Sequence, residues 1–216
     1  MSFPHPLVIF DLDGTLVDSA PDIAEAVNRT LTDWKLVNYD QAQITNWIGE
    51  GSRQLITYAM RAAGSDVDID EVMPGFLKHY GDTALDGQAY PGVEDTLAAL
   101  HAQGIKLAVC TNKPEQFVRP LLEARGLLHY FDGIVGGDTL PERKPSGVPL
   151  LHLCTQFGVD AKDCLMVGDS ESDALAAHNA GMPLVLVRYG YPKSLDLEAA
   201  GAKAVIQSMP ELLDVA

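Results

Sequence analysis

The residues best suited to chemistry stand at the ends of apolar runs. Leu7-Val8-Ile9-Phe10 is apolar throughout and stops at Asp11-Leu12-Asp13-Gly14-Thr15. Such a run suits a strand buried on both faces. Residues two apart on an extended backbone point to the same side, so Asp11 and Asp13 converge on one small volume past the strand. Two anions that close repel unless a cation or a shared proton intervenes. An oxygen-only cluster suits a hard cation such as Mg²⁺. On these residues alone, an acidic turn with Gly14 supplying a permissive backbone reads equally well.

The same change from apolar to polar recurs along the chain. The run 105–110 leads into Thr111-Asn112-Lys113-Pro114. The short run 133–135 leads into a loop carrying Lys144. The run 164–167 leads into Gly168-Asp169-Ser170-Glu171-Ser172-Asp173. In an open parallel sheet, ligands bind outside the carboxyl ends of the strands. These edges together supply carboxylates, a hydroxyl, amides and an ammonium, the groups a metal-assisted phosphate site requires. Singly, each has a bland reading. Thr111-Asn112 caps a helix starting at Pro114, Lys144 is a solvated lysine, and Asp169 and Asp173 are acids at a helix start. Four such edges in one chain make coincidence a poor account.

The elements that must position these residues follow from periodicity. Ser19-Ala20-Pro21-Asp22 starts a helix in which Ile23, Val27, Leu31 and Trp34 recur at helical spacing. Asp40 starts a second, with Ile44, Trp47 and Ile48, broken by Gly49-Glu50-Gly51. A third runs over 52–63 and a fourth over 66–82, where Pro74-Gly75 should start, kink or split it. Residues 16–85 thus read as all helix, with no strand. From Tyr90 onward strands and helices alternate, with strands at 105–110, 133–135, 164–167, 183–187 and 203–206. That alternation implies an α/β fold, a parallel sheet with helices on both faces. The strand at 7–10 belongs to it, so the helical stretch is an insertion after the first strand. The expected division is a core of 1–15 and 88–216 with a helical domain of 16–87.

Composition narrows the partners. The formal charge of −15 argues against nucleic acid and anionic membranes. It also means that an anionic substrate needs positive charge supplied locally. Three cysteines with no CxxC pair suggest buried free thiols. No apolar run reaches transmembrane length, and the N-terminus lacks a secretory pattern, so a cytoplasmic setting is expected.

With these motifs assembled, the chain resembles the haloacid dehalogenase-like hydrolases, over essentially its whole length. Their DxDxT motif matches Asp11-Leu12-Asp13-Gly14-Thr15, and their second-motif Ser or Thr matches Thr111. Their motif lysine matches Lys144-Pro145, and GDxxxD matches Gly168 to Asp173. Within that family the phrases FDLDGTLVDSAPDI, WIGEG, YPGV, TNKP and VGDSESD are similar to the phosphoglycolate phosphatases. The resemblance implies a Rossmann-like core and an all-helical C1-type cap. It implies Asp11 as nucleophile, Asp13 as general acid and base, and Mg²⁺ held by the Asp11 and Asp169 carboxylates and the Asp13 carbonyl. Thr111, Lys144 and amides near Leu12 and Asn112 would bind the phosphoryl group. Asp173 would orient a metal water or Lys144, and Thr15 would brace the Asp13 loop. The third motif departs from the phosphoglycolate phosphatase pattern, since after Lys144-Pro145 no proline follows until Pro149.

Specificity is expected from the cap, through the Gly49-Glu50-Gly51 turn and Arg53, whose guanidinium would pair with a substrate carboxylate. The expected substrate is a small phosphomonoester, 2-phosphoglycolate, handled by a monomer or homodimer. Alternatives stand open: a sugar or amino-sugar phosphatase, a mutase, a phosphonate hydrolase using Lys35 as a Schiff base, and a non-catalytic phosphate-binding protein.

Overall fold

The computed structural model describes residues 3–215. Strand β1 (Leu7–Phe10) lies inside a six-stranded sheet of order β5-β4-β1-β6-β7-β8. Its companions are β4 (Lys106–Cys110), β5 (Gly133–Val135), β6 (Cys164–Gly168), β7 (Leu184–Val187) and β8 (Ala204–Ile206), all parallel. In register, Phe10 lies beside Val109 on one side and Val167 on the other. The polar segments after β1, β4 and β6 therefore leave the sheet at one edge.

The two-residue period of the strands sorts their side chains between two cores. Val8, Phe10, Leu107, Val109, Leu165 and Val167 pack on one face. There they meet α5 (Val93–Ala102), α6 (Glu115–Ala124) and a 3₁₀ turn at Met209–Asp214. Leu7, Ile9, Ala108, Cys110, Cys164 and Met166 pack on the other, against α7 (Val148–Phe157) and α8 (Glu171–Ala180). Burial on both faces is why these strands read as unbroken apolar runs. The three cysteines are free and buried.

Residues 20–84 build a third, separate apolar cluster. Its helices are α1 (Ala20–Asp33), α2 (Gln41–Thr45), α3 (Ser52–Ala62) and α4 (Ile69–Thr83). Asp40 begins α2 as its spacing predicts, its carboxylate accepting the Gln43 N–H at 2.8 Å. Helix α2 closes at Thr45, so Trp47 and Ile48 lie in turns rather than on the helix. Helix α4 runs through Pro74 without being split. The expectation of no strand near this layer needs correcting. β2 (Val17–Asp18) pairs antiparallel with β3 (Gln88–Ala89), where the chain leaves and re-enters the sheet layer. Two residues per strand are too few to display a period. Among the described residues, no helix is long and apolar enough to cross a membrane.

Phe76 of α4 is fully buried in the helical cluster and stacks on Tyr80 with ring centroids 5.6 Å apart. Phe76→Ala is expected to cost about 3–5 kcal/mol of stability by leaving a cavity. Urea denaturation measures it, and a loss below about 1 kcal/mol would contradict this placement.

Candidate active site

Asp11 follows β1 directly, and its N–H still bonds the Val167 carbonyl at 2.9 Å, so the sheet itself fixes the residue. Its carboxylate Oδ1 accepts the Leu12 N–H at 2.7 Å and lies 2.9 Å from Lys144 Nζ. Lys144 is buried and also donates to Asp173 Oδ1 at 2.6 Å. The other oxygen of Asp173 accepts the N–H groups of Asp169 and Ser170, at 3.2 and 3.0 Å, and the Ser170 hydroxyl at 2.6 Å. Asp173 thus caps α8 with one oxygen and anchors Lys144 with the other. The Lys144–Pro145 peptide is cis.

Asp13 faces a different partner. Its Oδ1 accepts the Ser19 hydroxyl at 2.7 Å and Lys113 Nζ at 2.8 Å. Lys113 also donates to the Tyr80 hydroxyl, so α4 of the helical layer touches the sheet edge here. Asp169 accepts the Thr15 hydroxyl at 2.7 Å on Oδ1 and the Tyr191 N–H at 2.6 Å on Oδ2. Thr15 therefore braces Asp169, 154 positions away, rather than its own loop. The approach of segments here is close. A Cβ on Gly190 would stand 2.3 Å from the Gly14 carbonyl oxygen and 2.4 Å from Asp169 Cβ.

Asp11, Asp169 and Asp173 each present an oxygen within 4.8 Å of the others, all buried. Burial, reinforced by Asp173, pushes the Asp11 carboxyl up to about 7 even though Lys144 opposes the shift. Burial also raises Asp169 well above the usual carboxylate range, with Asp173 and Asp11 adding repulsion. The donors are hard oxygens, and burial first, mutual repulsion second, hold the Asp11 and Asp169 carboxyls up. Counting Asp11, Asp13, Asp169 and Asp173 against Lys113 and Lys144 leaves a balance of two negative charges. That donor set and charge fit a divalent oxygen-seeking cation such as Mg²⁺.

A cavity opens between the sheet edge and the helical layer. Asp11, Asp13, Thr111, Asn112 and Lys113 form its floor, and Ile23, Ile48, Leu55, Phe76 and Tyr80 its roof. A water-sized sphere can be centred in about 40 Å³ of it, room for a few waters. Lys144 and Asp169 stand behind the floor, Lys144 paired with Asp11 and Asp169 with an oxygen within 4.8 Å of an Asp11 oxygen.

Several expected site residues fall elsewhere. Gly49 and Gly51 line the cavity, and both hold positive φ, 115° and 92°. Glu50, between them, turns outward to the Tyr58 hydroxyl at 3.1 Å. Arg53, expected to meet a substrate carboxylate, is exposed, paired with Asp70 of α4 and outside the cavity lining. The helix explains why: Ser52 and Leu55 of α3 face the cavity, and Arg53 is rotated about 100° from Ser52. The Leu12 N–H is engaged by Asp11. The Asn112 side-chain amide donates to the Gly49 and Lys144 carbonyls, each at 2.9 Å, so it ties the two layers together. Lys35 is solvent-exposed and outside the cavity lining, leaving the Schiff-base alternative without its lysine. Sequence reasoning missed Lys113, Tyr80 and Tyr191. For Lys113 a signal existed: it lies two residues from Thr111 at a strand end, the spacing that paired Asp11 with Asp13.

The profile of the haloacid dehalogenase-like hydrolases matches residues 8–187. A phosphoglycolate phosphatase of Colwellia psychrerythraea is 40% identical over 214 residues, covering 96% of this chain and 95% of the relative. One of Rhodospirillum rubrum is 43% identical over 215 residues, covering 96% and 89%. The crystal structure of a predicted phosphoglycolate phosphatase from Haemophilus somnus 129PT superposes with a TM-score of 0.92. That protein is 37% identical, with 99% of this chain and 98% of the other covered.

The raised Asp11 carboxyl has a consequence for stability. An unfolded aspartate ionises near 4, whereas folded Asp11 holds its proton to about 7. Without a metal ion, folding is therefore increasingly penalised as pH rises from about 4 to 7, and the penalty is constant above that. In chelator at pH 8, Asp11→Asn should stabilise the protein by up to about 4 kcal/mol, and the gain should vanish near pH 4. Thermal or urea unfolding at the two pH values tests this. An equal effect at both would contradict it.

Proposed function

Because this chain belongs to the haloacid dehalogenase-like hydrolases and is a phosphoric monoester hydrolase, we propose that it cleaves 2-phosphoglycolate to glycolate and phosphate, with Mg²⁺ and through an aspartyl-phosphate. The observation that carries this reading is the pairing of a Lys144-anchored Asp11 with a separately held Asp13 on the floor of one small cavity. Two carboxylates with different partners can take different roles.

In the first step, an Asp11 carboxylate oxygen attacks phosphorus and the ester P–O bond breaks. Asp13 gives its proton to the departing glycolate oxygen. In the second, Asp13 takes a proton from water, whose oxygen attacks phosphorus as the Asp11–phosphorus bond breaks. Phosphate leaves and Asp11 is restored. Lys144 holds Asp11 in line and meets charge on the phosphoryl oxygens, with Thr111 as a further donor. Asp11, Asp169 and the Asp13 carbonyl would hold Mg²⁺, which supplies charge neutralisation at the phosphoryl group. Asp173 positions Lys144 with one oxygen and caps α8 with the other.

The helical layer, residues 16–87, is read as the cap that selects the substrate. Its contribution to the cavity is largely Ile23, Ile48, Leu55 and Phe76. A sugar phosphate brings hydroxyls that would lose water against these side chains without gaining partners. A two-carbon acid brings none. The similar proteins named phosphoglycolate phosphatase, matched along nearly their whole length, support the same choice.

A panel of phosphorylated metabolites, assayed with Mg²⁺ and with chelator, is the decisive experiment. The expected result is Mg²⁺-dependent turnover with 2-phosphoglycolate preferred over sugar phosphates. Asp11→Asn should abolish turnover while leaving the fold intact by circular dichroism. Lys144→Ala should lower kcat by about 10²-fold or more. Normal turnover by Asp11→Asn would remove the nucleophile assignment, and a sugar phosphate heading the panel would replace the substrate.

A further inference from the structure

We propose that Lys113, braced by Tyr80, forms a subsite for a carboxylate on the substrate, placed one carbon from the phosphate ester oxygen. This rests on the phosphoglycolate reading and specifies how that substrate is told from other monoesters.

The protein carries a formal charge of −15, so a substrate with two anionic groups must meet two local cations. Lys144 is committed to Asp11 and Asp173, at the phosphoryl end. Of the residues lining the cavity, Lys113 is the only cation. Its side chain is 1% exposed, so it is a wall group and not a solvated lysine. An ammonium has three donors. One goes to Asp13 Oδ1 and one to the Tyr80 hydroxyl. The third has no acceptor among the described residues, and a buried charged donor left unmade is costly.

Tyr80 fixes the direction of this ammonium. Its hydroxyl accepts from Nζ, and the ring centre lies 4.8 Å away, behind that hydroxyl. The ring is itself held between Phe76, at 5.6 Å, and Phe117, at 4.9 Å. The subsite thus joins the end of β4 to helix α4, and completing it requires the helical layer to be seated on the sheet.

The spacing selects the ligand. Two acceptors on one tetrahedral nitrogen lie about 4–5 Å apart. With Asp13 Oδ1 as one of them, the second oxygen falls within that distance of the group assigned to the leaving oxygen. A 2-phospho acid spans this, because its carboxylate oxygen is about 3 Å from its ester oxygen. Ethyl phosphate has the same carbon count and no carboxylate, so it leaves the third donor unpaired.

Lys113→Met keeps length and removes charge. The test is kcat/KM for 2-phosphoglycolate and for ethyl phosphate in the wild type, Lys113→Met, Lys113→Arg and Tyr80→Phe. The wild type should prefer 2-phosphoglycolate. In Lys113→Met that preference should fall about 10- to 100-fold, chiefly through KM, and Lys113→Arg should recover part of it. Tyr80→Phe, which keeps the packed ring, should reduce the preference several-fold even if Lys113→Met fails to fold. Equal losses on both substrates would mean that Lys113 serves Asp13 alone and would overturn the inference. A wild type with no preference for 2-phosphoglycolate would instead sink the substrate reading, an outcome visible before any variant is made.

Discussion

The site depends on one buried contact, the Lys144 ammonium between Asp11 and Asp173. Removing an ammonium from water is expensive unless it is paired and hydrogen-bonded. Two carboxylates fix Lys144 there, and they raise its proton affinity against the effect of burial. Each partner comes from a different strand end: Asp11 from β1, Lys144 from the loop after β5, and Asp173 from the start of α8 after β6. The contact therefore ties together three crossovers that the sheet brings to one edge. It also fixes which oxygen of Asp11 is engaged, leaving the other to face reaction chemistry.

The same contact explains the charge left over. Lys144 pairs with Asp11 and Asp173 and leaves Asp169 without a cation, while burial and the neighbouring acids raise the Asp11 and Asp169 carboxyls. Clustered buried carboxylates of this kind suit a divalent cation. Thr15 and the Tyr191 N–H hold Asp169 from two sides. The Tyr191 hydroxyl accepts the Ser19 and Ala20 N–H groups, each at 3.0 Å, and donates to Asp18 at 2.6 Å. One residue thus links the acid cluster to the entry of α1, where the helical layer begins.

Much of this was legible in the sequence because burial on both faces leaves a strong trace. β1, β4 and β6 are apolar along nearly their whole length, and their polar successors stand out. Glycines close α7 and α8, Gly158 and Gly181, both in left-handed conformation. What periodicity could not supply was direction. Arg53 was expected at the cavity because it follows a glycine turn, yet a one-residue step around α3 carries it to Asp70. Glu50 turned outward for a similar reason, between two backbone reversals. The β2–β3 ribbon was invisible because two residues have no period. Lys113 and Tyr80 meet across the two layers, a contact between positions 33 apart that no local pattern encodes.

Of the two buried lysines, Lys113 lines the cavity and Lys144 stands behind its floor. Lys144 lies behind Asp11, where a phosphoryl group would sit, and Lys113 stands beside Asp13, at the leaving-group side. Both come from the sheet edge, so both ends of an anionic ligand would be set by the rigid layer. The helical layer adds little polarity: mostly apolar side chains, with the hydroxyls of Ser52 and Tyr80, the latter touching Lys113. Apolar cover strengthens each ion pair beneath it by excluding water. Such a roof discriminates mainly by what it refuses to hydrate. On the proposed reading, selectivity for a small acid needs no arginine from the helical layer, and Arg53 pairs with Asp70 at the surface.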